Sequence, residues 1–304
     1  MDQGSAARQK TLKRTVRCAG VALHSGARVA MSLHPAPIDA GISFRRTDAG
    51  AEIAATWRNL VPSALCTTLA CAGVSVATVE HLMAAFAGLE IDNAVVTLDG
   101  PEIPAMDGSA APFVTLIERA GIAQQSAPRR FVEILKPVRV AADGAEATLE
   151  PSPGFSLNFV IDFASDAVGR QRIAVTPDPA SFKRGIARAR TFGFFDEVEQ
   201  MRAAGLALGG SLDNAVVIGA DGVMNKDGLR YRDEFVRHKV LDAMGDLYLA
   251  GGPMLGRFTG HRSGHALNRR LLQRLFADRK AWRFTTLAST PPSLWDEAPH
   301  RATA

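Results

Sequence analysis

The feature that most limits the fold is an order of patterns that occurs twice along the 304 residues. In each half, stretches with the alternating period of strands come first, and two stretches with helical period close the half. Residues 28–34 (Arg-Val-Ala-Met-Ser-Leu-His) alternate polar and apolar until Pro35 and Pro37 stop the run. A helix is expected over about 77–89, with Thr78 as its cap and Gly88 near its end. Residues 93–98 read as a buried strand, and a second helix is expected over about 109–120. The second half restarts with strands near 131–140, 145–150 and 155–163, and ends with helices over about 233–249 and 265–278. Between the halves, residues 123–130 (Ala-Gln-Gln-Ser-Ala-Pro-Arg-Arg) are polar and aperiodic, and read as a linker. The expectation is an α+β protein of two similar units, 1–122 and 131–304, although no residue-level repeat is visible.

Composition narrows the function classes only a little. The net charge of +4 fits an anionic small-molecule substrate as well as nucleic acid or a membrane surface, so charge alone does not choose among them. There is no helix-turn-helix signature and no aromatic-basic repeat, which argues against a nucleic-acid partner. No run approaches the roughly 18 apolar residues of a membrane span. The basic N-terminal stretch is not followed by the apolar segment of a signal peptide. Cys18, Cys66 and Cys71 are too few for a disulfide framework. These features lead to the expectation of a cytoplasmic protein with no stable membrane insertion.

The strongest local signal is 235–249 (Phe-Val-Arg-His-Lys-Val-Leu-Asp-Ala-Met-Gly-Asp-Leu-Tyr-Leu). At about 100° per residue, Asp242 lies roughly 40° and Asp246 roughly 80° from His238, so the three share one face. Val236, Val240, Met244 and Leu247 fall on the opposite face. Residues four apart project side by side, and imidazole with carboxylate can hold one metal ion. The same spacing also describes a solvated polar face with ordinary ion pairs.

A catalytic metal needs a third protein ligand and an open position. His81 is the natural candidate because Glu80 adjoins it, and a carboxylate there can take a proton from an attacking water. A surface Glu and a half-buried His at a helix start is the alternative. Cys66 and Cys71 lack structural-zinc spacing and read as small core residues. His24, in Leu-His-Ser-Gly, reads as a turn residue. His34, His261 and His300 have no carboxylate at ligand spacing. His265, before the last helix, could protonate a leaving nitrogen if Asp246 raises its pKa. Lys239 borders the same face and could meet negative charge. Thr191, in Arg-Thr-Phe-Gly-Phe-Phe, could hydrogen-bond an oxyanion, or it could be a satisfied residue of a buried strand.

These segments together resemble the zinc-dependent UDP-3-O-acyl-N-acetylglucosamine deacetylases of lipid A synthesis. The matching stretches are Thr-Leu-Lys-Arg at 11–14, Leu-His-Ser-Gly at 23–26, Thr-Val-Glu-His at 78–81 and Pro-Glu-Ile-Pro-Ala-Met-Asp-Gly-Ser-Ala at 101–110. They continue with Ala-Arg-Thr-Phe-Gly-Phe at 189–194, Leu-Gly-Gly-Ser at 208–211, Asp-Glu-Phe-Val-Arg-His-Lys-Val-Leu-Asp at 233–242 and Ser-Gly-His-Ala-Leu-Asn at 263–268. Their order and spacing, from about residue 10 to 285, make the resemblance specific.

The resemblance implies two similar α+β domains, each a helix pair on a sheet, with helix layers facing each other and the site between them. It implies His81, His238 and Asp242 as ligands of Zn²⁺, with Fe²⁺ as the cellular alternative. Glu80 would be the base, and His265 the acid oriented by Asp246. Thr191 would serve the oxyanion, and Lys239 the anionic part of the substrate. It further implies an apolar passage for the acyl chain, in an insert over about 191–220. Phe192, Phe194, Phe195, Val198, Ala207, Leu212, Ala215 and Val217 would line it. Phe159 and Arg262 would meet the uridine and the diphosphate. The implied partner is an acylated UDP-N-acetylglucosamine, turned over by a monomer. Another zinc amidohydrolase or peptidase is the alternative. One departure is Ala-Ala-Asp-Gly-Ala-Glu at 141–146, where some relatives place a lysine toward the nucleotide.

Overall fold

The computed structural model describes residues 7–63 and 65–287. The outer ends of the two expected units, and His300, lie outside the described residues. Six α-helices are present among the described residues: α1 (Glu80–Gly88), α2 (Ala111–Ala120), α3 (Pro179–Gly185), α4 (Phe195–Ala203), α5 (Glu234–Tyr248) and α6 (His265–Ala277).

The two halves share one topology. The first sheet runs in the order Val16–Val21, Arg28–Pro35, Ala94–Leu98, Ile42–Arg46, Ala51–Ala54. Its neighbours are antiparallel except Ile42–Arg46, which is parallel to the central Ala94–Leu98. The second sheet repeats this arrangement with Val138–Ala142, Ala145–Glu150, Met254–His261, Phe155–Asp162 and Arg170–Val175. Among these five strands only the pair Phe155–Asp162 with the central Met254–His261 is parallel. In both halves one helix precedes the central strand and one follows it: α1 and α2 in the first, α5 and α6 in the second. Both halves also carry an insertion at the same point, between the last hairpin and the first helix. The first insertion holds the small sheet of Leu60–Val61, Thr68–Cys71 and Val74–Val76. The second holds α3, α4 and the sheet of Phe192–Phe194, Val216–Gly219 and Gly222–Val223. Arg130–Ile134 and Trp282–Thr286 extend the second sheet.

Apolar side chains at helical spacing produce the layers. On α2, Phe113, Val114, Leu116, Ile117 and Ala120 are buried while Thr115, Glu118 and Arg119 face water. Gly121, at φ 72°, ends the helix. α5 and α6 lie on the second sheet, and α1 packs on both α2 and α5. The order is therefore sheet, helices, helices, sheet, and the seam between the halves is the contact of α1 with α5. That contact is unusually close because Gly245 has no side chain. A Cβ there would lie 2.0 Å from the Glu80 carbonyl oxygen.

Three sequence expectations need correction. Thr78 does not cap α1. It sits at φ 58° with its hydroxyl donating to Glu102 Oε1 at 3.0 Å, and Val79 begins the helix without a side-chain cap. The expected linker is largely a strand: Ile122–Pro128 pairs antiparallel with Arg8–Leu12. It hides in the sequence because neither of its faces is apolar, and its side chains make polar contacts such as Asn93 Nδ2 to Gln125 Oε1 at 2.7 Å. Cys71 is exposed at the end of a strand, whereas Cys66 is buried as expected.

Candidate active site

The polar face of α5 is not solvated. His238, Asp242 and Asp246 are each 3% exposed, because α1 covers them. α1 presents Glu80 and His81 from its first turn to this face, and both are buried. Helices from the two halves thus bring together residues about 160 positions apart in sequence.

His81, His238 and Asp242 form one cluster, with one ligand atom from each within 4.8 Å of the others. Asp242 Oδ1 lies 3.2 Å from His238 Nε2 and 3.6 Å from His81 Nε2. The donor set fits a metal ion on two grounds. His238 Nδ1 sits 3.1 Å from the Ala189 carbonyl and must carry the proton to bond it, so Nε2 turns a lone pair toward the carboxylate. Asp242 Oδ1 is buried with no hydrogen-bond partner. Lone pairs converging in a buried space need a cation to compensate them. Burial holds the His238 pKa down, to about 4, which keeps the imidazole neutral and able to ligate. Burial opposes the charge of Asp242, but His238 and Lys239 outweigh it, and its carboxyl stays ionised well below the usual range. Lys239 Nζ bonds Asp242 Oδ2 at 2.8 Å, so its charge goes first to this carboxylate.

Beside the cluster stand two groups suited to moving protons. Burial lifts the Glu80 carboxyl to about 7. The His265 imidazole is raised to about 10, because Asp246, Asp242 and Glu80 outweigh the cost of burying its charge. His265 Nδ1 lies 2.9 Å from Asp246 Oδ2, which leaves Nε2 facing Glu80 Oε1 at 3.9 Å and Asp242 Oδ2 at 3.8 Å. A base near neutrality and a cationic acid therefore face one point.

The cluster opens into a cavity of 690 Å³. Thr191 is on its wall, held by its backbone N–H to the Gly108 carbonyl at 2.8 Å. Arg190 anchors that segment through a buried ion pair with Glu234 at the start of α5, so its charge is satisfied internally. Phe192, Phe194 and Arg262 also line the cavity. Arg262 takes a left-handed φ of 52°, a strained conformation of the kind found at functional sites.

The remaining expected residues are placed differently. Phe159 is 1% exposed, packed against Phe258 beneath the sheet, and does not reach the cavity. Phe163 does, with its ring against Phe192 and Phe194. Positions 157, 159 and 161 all point to the core, and 163 continues that face just past the strand end, where the cavity opens. The period of two nominates either ring. Phe195, Val198, Ala207, Leu212, Ala215 and Val217 lie in the second insertion but outside the cavity wall. Among them Phe195 and Leu212 are exposed, whereas Ala207 and Val217 are buried.

Besides Phe163, sequence reasoning missed four residues at the site. His24 lines the cavity with neither ring nitrogen bonded, while its backbone N–H and that of Ser25 are held by Glu102. Arg270 also lines the cavity. Asn268 donates to Asp246 Oδ2 at 2.8 Å; its spacing of three from His265, on the same helix face, was a readable signal. Thr67, in Cys-Thr-Thr, carried no signal, yet it contacts Glu80, Asp246 and His265.

Fold and site together define the class of a metal-dependent hydrolase: two α+β units with a buried His-His-Asp group between them that could hold a metal ion. A family model described as UDP-3-O-acyl N-acetylglycosamine deacetylase matches residues 9–277. The chain is 52% identical over 283 residues to the UDP-3-O-acyl-N-acetylglucosamine deacetylase of Nitrosococcus oceani, covering 92% of this chain and 93% of that one. It is 51% identical over 285 residues to that of Acidithiobacillus ferrooxidans, with 92% and 94% covered. It is 49% identical over 291 residues to that of Pseudomonas entomophila, with 94% and 96% covered. The chain belongs to the UDP-3-O-acyl N-acetylglycosamine deacetylase family.

Proposed function

We propose that this protein hydrolyses the N-acetyl group of a UDP-3-O-acyl-N-acetylglucosamine, giving acetate and the free amine, a step of lipid A synthesis. The observation that carries this reading is the buried cluster of His81, His238 and Asp242 with an unpartnered carboxylate oxygen, next to two proton-transfer groups.

The three ligands would hold Zn²⁺, with Fe²⁺ as the alternative. Such an ion supplies Lewis acidity toward the acetamide carbonyl and the attacking water. Glu80 takes the proton of that water, and its pKa near 7 suits the task. His265 holds a proton at Nε2 and gives it to the leaving nitrogen, while Asp246 keeps Nδ1 engaged. Thr191 donates to the oxyanion. Lys239, Arg262, Arg270 and His24 form a donor-rich wall that suits a diphosphate. Phe163, rather than Phe159, offers the aromatic surface for uridine. Phe192 and Phe194 start the apolar path for the acyl chain, and Phe195, Val198, Ala207, Leu212, Ala215 and Val217 continue it through the insertion.

We take 1–122 and 131–304 as the two domains of a monomer. The three cysteines are all free, and we place the protein in the cytoplasm. Among the described residues no helix is long and apolar enough to cross a membrane.

The test is deacetylation of the UDP-sugar after chelation, with metal analysis in parallel. Activity should vanish with the metal and return with one equivalent of Zn²⁺. Substitution of His81, His238 or Asp242 by Ala should lower metal affinity or activity by well over the ~100-fold cost of losing an outer partner. Undiminished turnover by the chelated protein, or equal cleavage of simple peptides, would overturn the reading.

A further inference from the structure

Thr67 is buried, just before the strand Thr68–Cys71 in the first insertion, and it touches both proton-transfer groups. Its backbone carbonyl accepts from Val79 N at 3.3 Å, which ties it to the start of α1. Its backbone N–H donates to Glu80 Oε2 at 3.0 Å. Its hydroxyl donates to Asp246 Oδ1 at 2.5 Å, and the same oxygen lies 3.1 Å from His265 Nδ1. With Asn268 on Oδ2, both oxygens of Asp246 are engaged, and the carboxylate has one orientation in which Oδ2 meets His265 Nδ1 at 2.9 Å.

We propose that Thr67 is a positioning residue that couples the two steps of proton transfer. Its N–H fixes the Glu80 carboxylate, and its hydroxyl fixes Asp246 and so aims His265 Nε2. One residue of the first half thereby sets the geometry of an acid carried by the second. This inference rests on the reading of Glu80 as base and His265 as acid. A hydroxyl is required: Val has nearly the same volume but cannot donate, whereas Ser can.

The experiment compares Thr67→Val, Thr67→Ser and the double variant Thr67→Val/His265→Ala, each with its metal content checked. Thr67→Val should lower kcat by about 10- to 100-fold, the usual cost of losing a partner that orients a reacting group, with KM within about twofold. Thr67→Ser should keep kcat within about threefold. The double variant should be no slower than His265→Ala alone, because both act through one imidazole. Independently of turnover, the nuclear magnetic resonance of the proton on His265 Nδ1 should move in Thr67→Val and stay in Thr67→Ser. If Thr67→Val does not fold, Thr67→Ala takes its place with the same expectations. A native kcat in Thr67→Val, a Ser variant as slow as the Val variant, an unmoved proton resonance, or losses that multiply in the double variant would each overturn the proposal. Native activity in His265→Ala would instead strike the acid assignment, and a slow Thr67→Val beside it would overturn the route through His265.

Discussion

α1 and α5 hold equivalent places in the two halves, each leading into the central strand of its sheet, yet they do different work. α1 is nine residues long and offers Glu80 and His81 from its first turn alone. α5 is fifteen residues long and offers His238, Asp242 and Asp246 along two turns. The insertions before them differ in the same way. The first is a small sheet that places Thr67 against the proton-transfer groups. The second is longer and aromatic, and forms the cavity wall with Phe192 and Phe194. The difference teaches that a duplicated frame can divide its labour. The seam between equivalent helices gathers the His-His-Asp cluster, and the unequal insertions carry Thr67 beside it on one side and the cavity-lining Phe192 and Phe194 on the other.

Removing the chemistry that α1 contributes should cost most. Glu80→Gln, with metal retained, is expected to lower kcat by about 10²- to 10⁴-fold, the range for a general base. A rate within tenfold of native would move the base elsewhere. The seam itself can be probed with two glycines of close approach. At Gly245 a Cβ would meet the Glu80 carbonyl oxygen at 2.0 Å, and at Gly88 it would meet the Phe182 ring at 2.1 Å. Both Ala variants should lose about 1–3 kcal/mol of stability through overpacking. Only Gly245→Ala should also lose activity, by about 10- to 100-fold, because it pushes α1 from α5 at the base. Equal activities after thermal melts of both would show that the seam tolerates a shift.

A smaller effect separates the two aromatic rings. Phe163→Ala should raise KM about tenfold, the scale of one lost base stack, with little change in melting temperature. Phe159→Ala should instead cost about 3–5 kcal/mol of stability with KM near native. The reverse pattern would restore Phe159 to the nucleotide.

The mildest perturbation is pH. Activity should fall as pH drops through about 7, where Glu80 takes up the proton it must lack. It should fall again as pH rises through about 10, where His265 loses the proton it must give. A bound cation pulls the acidic limb lower, since its charge favours the carboxylate. Between the limbs the rate should vary less than about twofold, and a pH–rate profile with a single limb would remove one of the two groups.

How much of this was legible depends on the range of each signal. Two strands of the first sheet, Arg28–Pro35 and Ala94–Leu98, and the four helices α1, α2, α5 and α6 follow from local periodicity, because burial of one face writes a period of two or 3.6 into the chain. The strand Ile122–Pro128 did not, since it buries neither face. His238, Asp242 and Asp246 were readable as one face of a helix, and Asn268 could have been read from its spacing to His265. Thr67 could not, because its role comes from partners 13 to 198 residues away.

The sequence by itself determined the α+β class, the doubled order of strands and helices, and the residue types of a metal-dependent hydrolase. Those are local patterns and ordered motifs, and they need no knowledge of neighbours in space. Only the tertiary structure decided that the His-Asp face of α5 is buried rather than solvated, that Phe163 and not Phe159 meets the cavity, and that Thr67 contacts Glu80, Asp246 and His265 together. Each of these depends on which surface covers which. That was settled when α1 closed onto α5 over a glycine, a contact between segments far apart in the chain.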